Sequence, residues 1–215
     1  MRKVYLFDLD GTLIDSMPVG VGIVLGFLDE QGIPYGPDIV KTLTPLGYKG
    51  VAKYYAENLG AKYSPEEIYA NFQEKTKKAY GESIPLKPHV KEVLTALAAQ
   101  GARLNVLTAS PKFLTELCLK RLGVFDLFEN VWSIDDFGLS KADGEIYRKT
   151  AARLGVKTID CVMVDDNVNV LKVAQAEGLT VIGIFDETTK DSETEMRELA
   201  DFYCADFSEF PKINI

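Results

Sequence analysis

A doubly wound parallel α/β sheet, interrupted by one α-helical insertion, is the fold the sequence predicts. Two observations carry that prediction. From residue 85 onward, short apolar runs of β-branched and aromatic residues alternate with segments of helical period, the pattern of βα units feeding a parallel sheet covered on both faces. The first such run, Lys3-Val4-Tyr5-Leu6-Phe7, is separated from the others by residues 17–84, where the rhythm is helical and no convincing strand occurs.

Taken in order, Lys3–Phe7 stops abruptly at Asp8-Leu9-Asp10-Gly11 and reads as a buried strand entering a polar loop. Arg103–Leu107, Cys161–Val164 and Val181–Phe185 repeat its character, and Asn130–Ile134 is a weaker example. Between them, Val90–Gln100 and Val168–Glu177 have helical period and are closed by Gly101 and Gly178, residues suited to the left-handed conformation at a helix end. Within the insertion, Val21–Gln31, Gly50–Leu59 and Pro65–Tyr80 read as helices. Asp15-Ser16-Met17-Pro18 and Gly81–Pro85, with Pro88 beyond, read as the two linkers. The expected division is therefore a core of residues 1–16 and 85–215 and a helical unit of 17–84. Seven of the ten tyrosines fall in that unit (35, 48, 54, 55, 63, 69 and 80), so aromatic packing is expected there.

Composition narrows the chemistry. The 215 residues carry 24 Lys plus Arg against 32 Asp plus Glu, a net charge of −8 that disfavours a nucleic-acid polymer as partner. No apolar run approaches the roughly 20 residues that span a bilayer, and Met1–Phe7 lacks the apolar region of a secretory leader, so a cytoplasmic location is expected. Cys118, Cys161 and Cys204 form no CxxC pair and read as small buried hydrophobes. His89 is the only histidine, which removes Ser-His-Asp and Cys-His catalysis; a helix-start or surface role suits it after Pro88. Any catalysis must rest on carboxylates, lysine, hydroxyls or a metal held by oxygen.

Open α/β sheets bind ligands beyond the carboxyl ends of their strands. There the first strand delivers Asp8 and Asp10, the second Thr108-Ala109-Ser110, and the Cys161 run Asp165-Asp166; Lys141 follows the Asp135-Asp136 turn. Such a group of carboxylates repels itself and any anionic substrate. A divalent oxygen-preferring cation resolves this, and Mg²⁺ is the usual one beside a substrate phosphate. Asp8, Asp165 and Asp166 supply three negative charges, and Mg²⁺ with Lys141 three positive. The arrangement suits phosphoryl transfer, with Asp8 as nucleophile and Asp10 as general acid, then base.

Asp8-Leu9-Asp10-Gly11-Thr12-Leu13-Ile14-Asp15 resembles the first motif of the haloacid dehalogenase superfamily in its phosphatase branch. Thr108 is similar to the second motif, and Lys141-Ala142-Asp143-Gly144-Glu145-Ile146-Tyr147 to the third, without its usual Pro-containing run. Val162-Met163-Val164-Asp165-Asp166 resembles the fourth, and the insertion resembles the family's cap. The resemblance implies a Rossmann-like core and a Mg²⁺-dependent hydrolase acting on a small phosphorylated metabolite through an aspartyl-phosphate on Asp8. It implies that Asp8, the Asp10 main-chain carbonyl and Asp166 hold Mg²⁺, with Asp165 bound or adjacent. Thr108, Ala109 and Lys141 would hold the phosphate. Asn167-Val168-Asn169-Val170 departs from the pattern by offering no second acid after Asp166.

Rival readings stand beside it. A mutase of the β-phosphoglucomutase type carries a cap-linker histidine where this chain has Gly20. A phosphonoacetaldehyde hydrolase-like enzyme uses a cap lysine, for which Lys49 is roughly placed, but lacks an acid at the position of Asp10. A dehalogenase needs neither Asp10 nor the metal cluster. Outside enzymes, a phospho-Asp signalling module shares the Asp, acidic pair, Thr and Lys, though in another chain order. Asp165-Asp166 also suits a simple cap for the helix near Asn167, and Asp15 suits either positioning of the linker or flap or a cap before Met17-Pro18. Leu46–Gly50 is the candidate substrate loop of the insertion, with Tyr48 and Lys49 as its specificity residues.

Overall fold

The computed structural model describes residues 3–43 and 46–212. The chain divides into two compact units, Met1–Asp15 with Pro85–Ile215, and Ser16–Ile84. Ser16 thus falls with the helical unit, one residue earlier than the sequence suggested.

The larger unit is a six-stranded, all-parallel sheet of β1 (Val4–Phe7), β2 (Arg103–Thr108), β3 (Asn130–Ser133), β4 (Cys161–Asp165), β5 (Thr180–Ile184) and β6 (Phe202–Cys204), in the spatial order 3-2-1-4-5-6. The sequence reading missed β6, an edge strand of three residues. β1 is central, with Val4 to Phe7 in register with Arg103 to Val106 on one side and Cys161 to Val164 on the other. All four of its side chains are buried, which is why its apolar run is continuous.

Alternate residues of β1 serve opposite faces. Val4 and Leu6 join a core with Met163, Val181, Ile146, Tyr147 and Leu171. Tyr5 and Phe7 pack against Phe210 with ring centroids 6.2 Å apart in each case. After α5 (Val90–Ala99) and α6 (Lys112–Arg121), α7 (Glu145–Leu154) supplies Ile146 and Tyr147, and α8 (Val168–Ala176) supplies Leu171. Gly101 and Gly178 adopt φ of 84° and 87° past their helices, as expected of left-handed closing residues. The three cysteines are buried and free.

The smaller unit contains α1 (Met17–Gln31), α2 (Ile39–Leu43), α3 (Gly47–Asn58) and α4 (Pro65–Glu82). Pro18 stands in the first turn of α1 rather than ending a linker, so the helix begins earlier than Val21. Ser64 and Glu67 form a capping box that starts α4. The aromatic packing expected there is present: Phe27, Tyr55 and Phe72 meet with centroids 5.7–6.0 Å apart, and the Tyr55 hydroxyl donates to the Val24 carbonyl at 2.9 Å. One expectation fails. Leu46–Gly50 is not a loop, because Gly47 to Gly50 form the first turn of α3.

Candidate active site

The strand order reverses between β1 and β4, so the crevice beyond their carboxyl ends is the topological switch point of the sheet. Asp8 follows β1, and its N–H donates to the Val164 carbonyl at 2.9 Å. Asp165 closes β4 and Asp166 follows it. Carboxylate oxygens of Asp8, Asp165 and Asp166 all lie within 4.8 Å of one another, and all three residues are buried. Lys141, also buried, reaches Asp8 Oδ1 and Asp165 Oδ2 at 2.7 Å each. Its main chain is held from below, since the Tyr147 hydroxyl of α7 donates to the Lys141 carbonyl at 2.9 Å.

The turn after β1 is tight. Leu13 and Ile14 donate their N–H groups to the Leu9 carbonyl, and Gly11 donates to Ile14. Gly11 has φ of 77°, and a Cβ there would lie 2.7 Å from Asp166 Oδ2. Only glycine lets the turn approach the carboxylate this closely. Thr12 then donates from Oγ1 to Asp166 Oδ1 at 2.9 Å.

The two neighbouring acids are placed differently. Asp165 spends Oδ2 on Lys141 and accepts the Asn167 N–H at Oδ1, 2.9 Å away. Asp166 receives the Thr12 hydroxyl at Oδ1 and turns its other oxygen toward the Gly11 turn. The helix-cap reading of this pair passes to Asn167, whose side chain accepts the Asn169 N–H at the start of α8. Asp15 is likewise not the cap of α1, a position held by Ser16; its N–H donates to the Pro85 carbonyl.

At the end of β2, Thr108 is buried and its Oγ1 accepts the Ser110 N–H at 3.1 Å. Ser110 Oγ donates in turn to Asp10 Oδ2 at 2.6 Å. Ala109 between them is exposed. Two polar partners escaped the sequence reading, Thr12 on Asp166 and Ser110 on Asp10. The only signals available were hydroxyls two residues beyond Asp10 and Thr108.

Charge is out of balance here. Burial raises the Asp8 carboxyl to about 7, with Lys141 opposing and Asp165 and Asp10 adding to the rise. Burial likewise raises Asp166 well above the carboxylate range, and Asp165 and Asp8 push it further while the Thr12 bond opposes. Burial alone would lower Lys141, but the carboxylates of Asp165 and Asp8 outweigh it and hold the ammonium charged. One ammonium cannot neutralise three buried carboxylates. The donor set, all oxygen and in excess of positive charge, fits a hard divalent cation.

Tyr48 and Lys49, expected in a loop, stand in α3 with partners inside the helical unit. The Tyr48 ring lies 5.5 Å from that of Phe72, and the Lys49 ammonium 5.5 Å from the centroid of Tyr69. Gly20, the position that weighed against a mutase, lies within α1.

The architecture is that of α/β enzymes whose ligand site lies at the switch point of a doubly wound sheet. The chain matches the haloacid dehalogenase-like hydrolase family over residues 2–178 and belongs to it. It is similar to hexitol phosphatase B of Escherichia coli K12, 28% identical over 173 residues that cover 80% of this chain and 78% of that protein. It is similar to phosphoglycolate phosphatase of Yersinia pseudotuberculosis, 28% identical over 185 residues covering 83% and 78%. The crystal structure of a predicted phosphoglycolate phosphatase from Haemophilus somnus 129PT superposes with a TM-score of 0.82 at 22% identity, covering 100% of this chain and 98% of that one. Among the described residues, no helix is long and apolar enough to cross a membrane.

Proposed function

We propose that this chain is a Mg²⁺-dependent phosphatase that hydrolyses the phosphomonoester of a small metabolite through an aspartyl-phosphate on Asp8. One observation carries the reading. A buried nucleophile candidate, Asp8, is gripped by Lys141 beside two further carboxylates, while Asp10 stands on the same turn with its carboxyl engaged by a hydroxyl. The phosphatase names of the relatives support it.

Asp8, the Asp10 main-chain carbonyl and Asp166 would hold the cation, which supplies charge neutralisation and orients the phosphoryl oxygens when bound. Asp165, with both oxygens committed to Lys141 and the Asn167 N–H, serves by fixing Lys141. Thr108, Ala109 and Lys141 receive the remaining phosphate oxygens. Asp8 attacks phosphorus as the ester P–O bond breaks, and Asp10 gives its carboxyl proton to the departing oxygen. Water then attacks the phosphorus, Asp10 takes a proton from it, and the Asp8–phosphate bond breaks to release inorganic phosphate. The residue 16–84 unit is assigned as the cap that selects the leaving group, with Tyr48 and Lys49 as its specificity candidates.

The test is acid quench during turnover of an aryl phosphate with Mg²⁺. The expected result is a hydroxylamine-labile phosphate mapping to Asp8, with turnover lost on chelation. Steady turnover with no phosphoprotein, or turnover indifferent to chelation, overturns the mechanism. A panel of phosphorylated metabolites then identifies the substrate.

A further inference from the structure

We propose that Ser110 is a positioning residue that aims the Asp10 carboxyl group at the leaving oxygen of the substrate, an inference that rests on the phosphatase reading above. Ser110 stands between two structural parts. Its N–H donates to Thr108 Oγ1 at 3.1 Å, which ties it to the end of β2. Its hydroxyl donates to Asp10 Oδ2 at 2.6 Å, which ties it to the turn after β1. The second contact is at the short end of O–H···O geometry, where hydrogen bonds to a carboxylate are strongest. The two residues are 100 positions apart in sequence, so only the pairing of β1 with β2 brings them together.

The physical need is specific. The terminal torsion of an aspartate is broad and roughly two-fold, so the backbone alone does not fix where its oxygens point. Asp8 and Asp166 have their oxygens fixed by Lys141 and Thr12. Ser110 gives Asp10 the same constraint from the neighbouring strand. Proton transfer to an ester oxygen demands hydrogen-bond reach in the transition state, and a displacement near 1 Å is expensive. Ser110 therefore acts through Asp10, without itself forming or breaking a bond.

The experiment measures kcat/KM for phenyl phosphate and for p-nitrophenyl phosphate with saturating Mg²⁺. The proteins are wild type, Ser110→Ala, Ser110→Cys, Ser110→Thr, Asp10→Asn and the Ser110→Ala/Asp10→Asn double variant, each checked for a native melt. Ser110→Ala is expected to lose about tenfold with phenyl phosphate, whose leaving group needs the proton, and at most about twofold with p-nitrophenyl phosphate. Ser110→Cys, nearly isosteric but a weak donor, repeats the loss should alanine disturb packing; Ser110→Thr restores the rate. The double variant should be no slower than Asp10→Asn, because a residue acting through Asp10 has nothing left to position.

Equal losses with both leaving groups would make Ser110 a phosphate-binding or merely structural residue and overturn the proposal. So would an additive loss in the double variant, or wild-type rates in Ser110→Ala. If Asp10→Asn itself slows both substrates equally, the proton-transfer role of Asp10 falls, and the role of Ser110 with it.

Discussion

Two ion clusters lie at the same end of the sheet, one buried and one with a partly buried lysine, and they differ most in their balance. Around Lys141, two carboxylates, Asp8 and Asp165, share a single ammonium, and a third, Asp166, lies beside them without it. Around Lys87, one ammonium meets one carboxylate: Lys87 lies 2.8 Å from Asp186 Oδ2 and donates to the Phe185 carbonyl, while Thr188 donates its N–H to Asp186. Burial would raise Asp186, but the bonds from Lys87 and Thr188 outweigh it and hold the carboxyl below its ordinary range. Asp8 and Asp166 move the other way. A satisfied pair is structural cement. An excess of buried negative charge favours the binding of a cation, which is the physical reason the proposed chemistry is placed at Lys141 and not at Lys87.

The largest effect should come from neutralising the centre of the unbalanced cluster. Asp8→Asn removes the oxygen anion proposed to attack phosphorus and is expected to lower turnover by ~10³-fold or more. The same change relieves like-charge repulsion, so the melting temperature of the cation-free protein should not fall. Wild-type-like turnover of the pure variant would break the comparison at its root.

Next in size is the cation itself. Asp166→Ala should weaken Mg²⁺ binding, read by titration calorimetry, far more than Asp165→Ala. Asp165 is already spent on Lys141 and the Asn167 N–H, whereas Asp166 is oriented by Thr12 alone among the bonds described. Equal losses would reverse the assignment of the two acids.

The pH dependence follows from the direction of the shifts. Asp8 and Asp166 bind protons more tightly folded than unfolded, where a carboxyl titrates near 4. The contribution of Asp8 to stability therefore falls as pH rises from about 4 to about 7, and that of Asp166 falls as pH rises above about 4. A cation competes with those protons, so the rise in melting temperature produced by Mg²⁺ should grow across the same window. A rise independent of pH would mean that the cation binds elsewhere.

The acids of this cluster were legible in the sequence because each stands at the end of an apolar run, and a parallel sheet brings such ends together. What each acid touches was not legible. Thr12 on Asp166 and Ser110 on Asp10 are joined across 154 and 100 positions, and strand order decides the pairing. β6 gives no periodic signal, because it has only three residues, two half-buried and one buried. The first turn of α3 was read as a loop because Gly47 and Gly50 bracket it, although Gly47, with φ of 61°, only starts the helix. Lys87 stands between Pro85 and Pro88, and nothing local marks Asp186 as its partner.

In the balanced cluster the effect should be on stability with the sign reversed. Asp186→Asn leaves the partly buried Lys87 without its counter-charge and should cost about 2 kcal/mol in denaturant unfolding at pH 7. Because Asp186 is held below its unfolded value, its contribution is present above about pH 4 and is lost as pH falls through the folded value. The difference between wild type and variant should therefore shrink on acidification. Asp186 also pushes the Asp166 carboxyl up through its charge, so Mg²⁺ stabilisation should change, but far less than in Asp166→Ala.

The smallest effect separates strain from charge in the same segment. His89, two residues beyond Lys87, is the one non-glycine among the described residues with positive φ, 64°, at the start of α5 (Val90–Ala99). It is exposed, and its side chain makes no capping bond. An L-residue held left-handed costs roughly 1–2 kcal/mol. Glycine removes that cost but gives back about 0.5–1 kcal/mol of unfolded-state entropy. His89→Gly should thus stabilise the fold by about 0.5–1 kcal/mol in denaturant unfolding. It removes no member of either ion cluster, so the Mg²⁺-induced rise in melting temperature should stay as in wild type. A destabilised variant would show that the imidazole packs on something that offsets the strain. A changed response to Mg²⁺ would show that this segment is coupled to the carboxylates through more than the charge of Asp186, which already bears on Asp166.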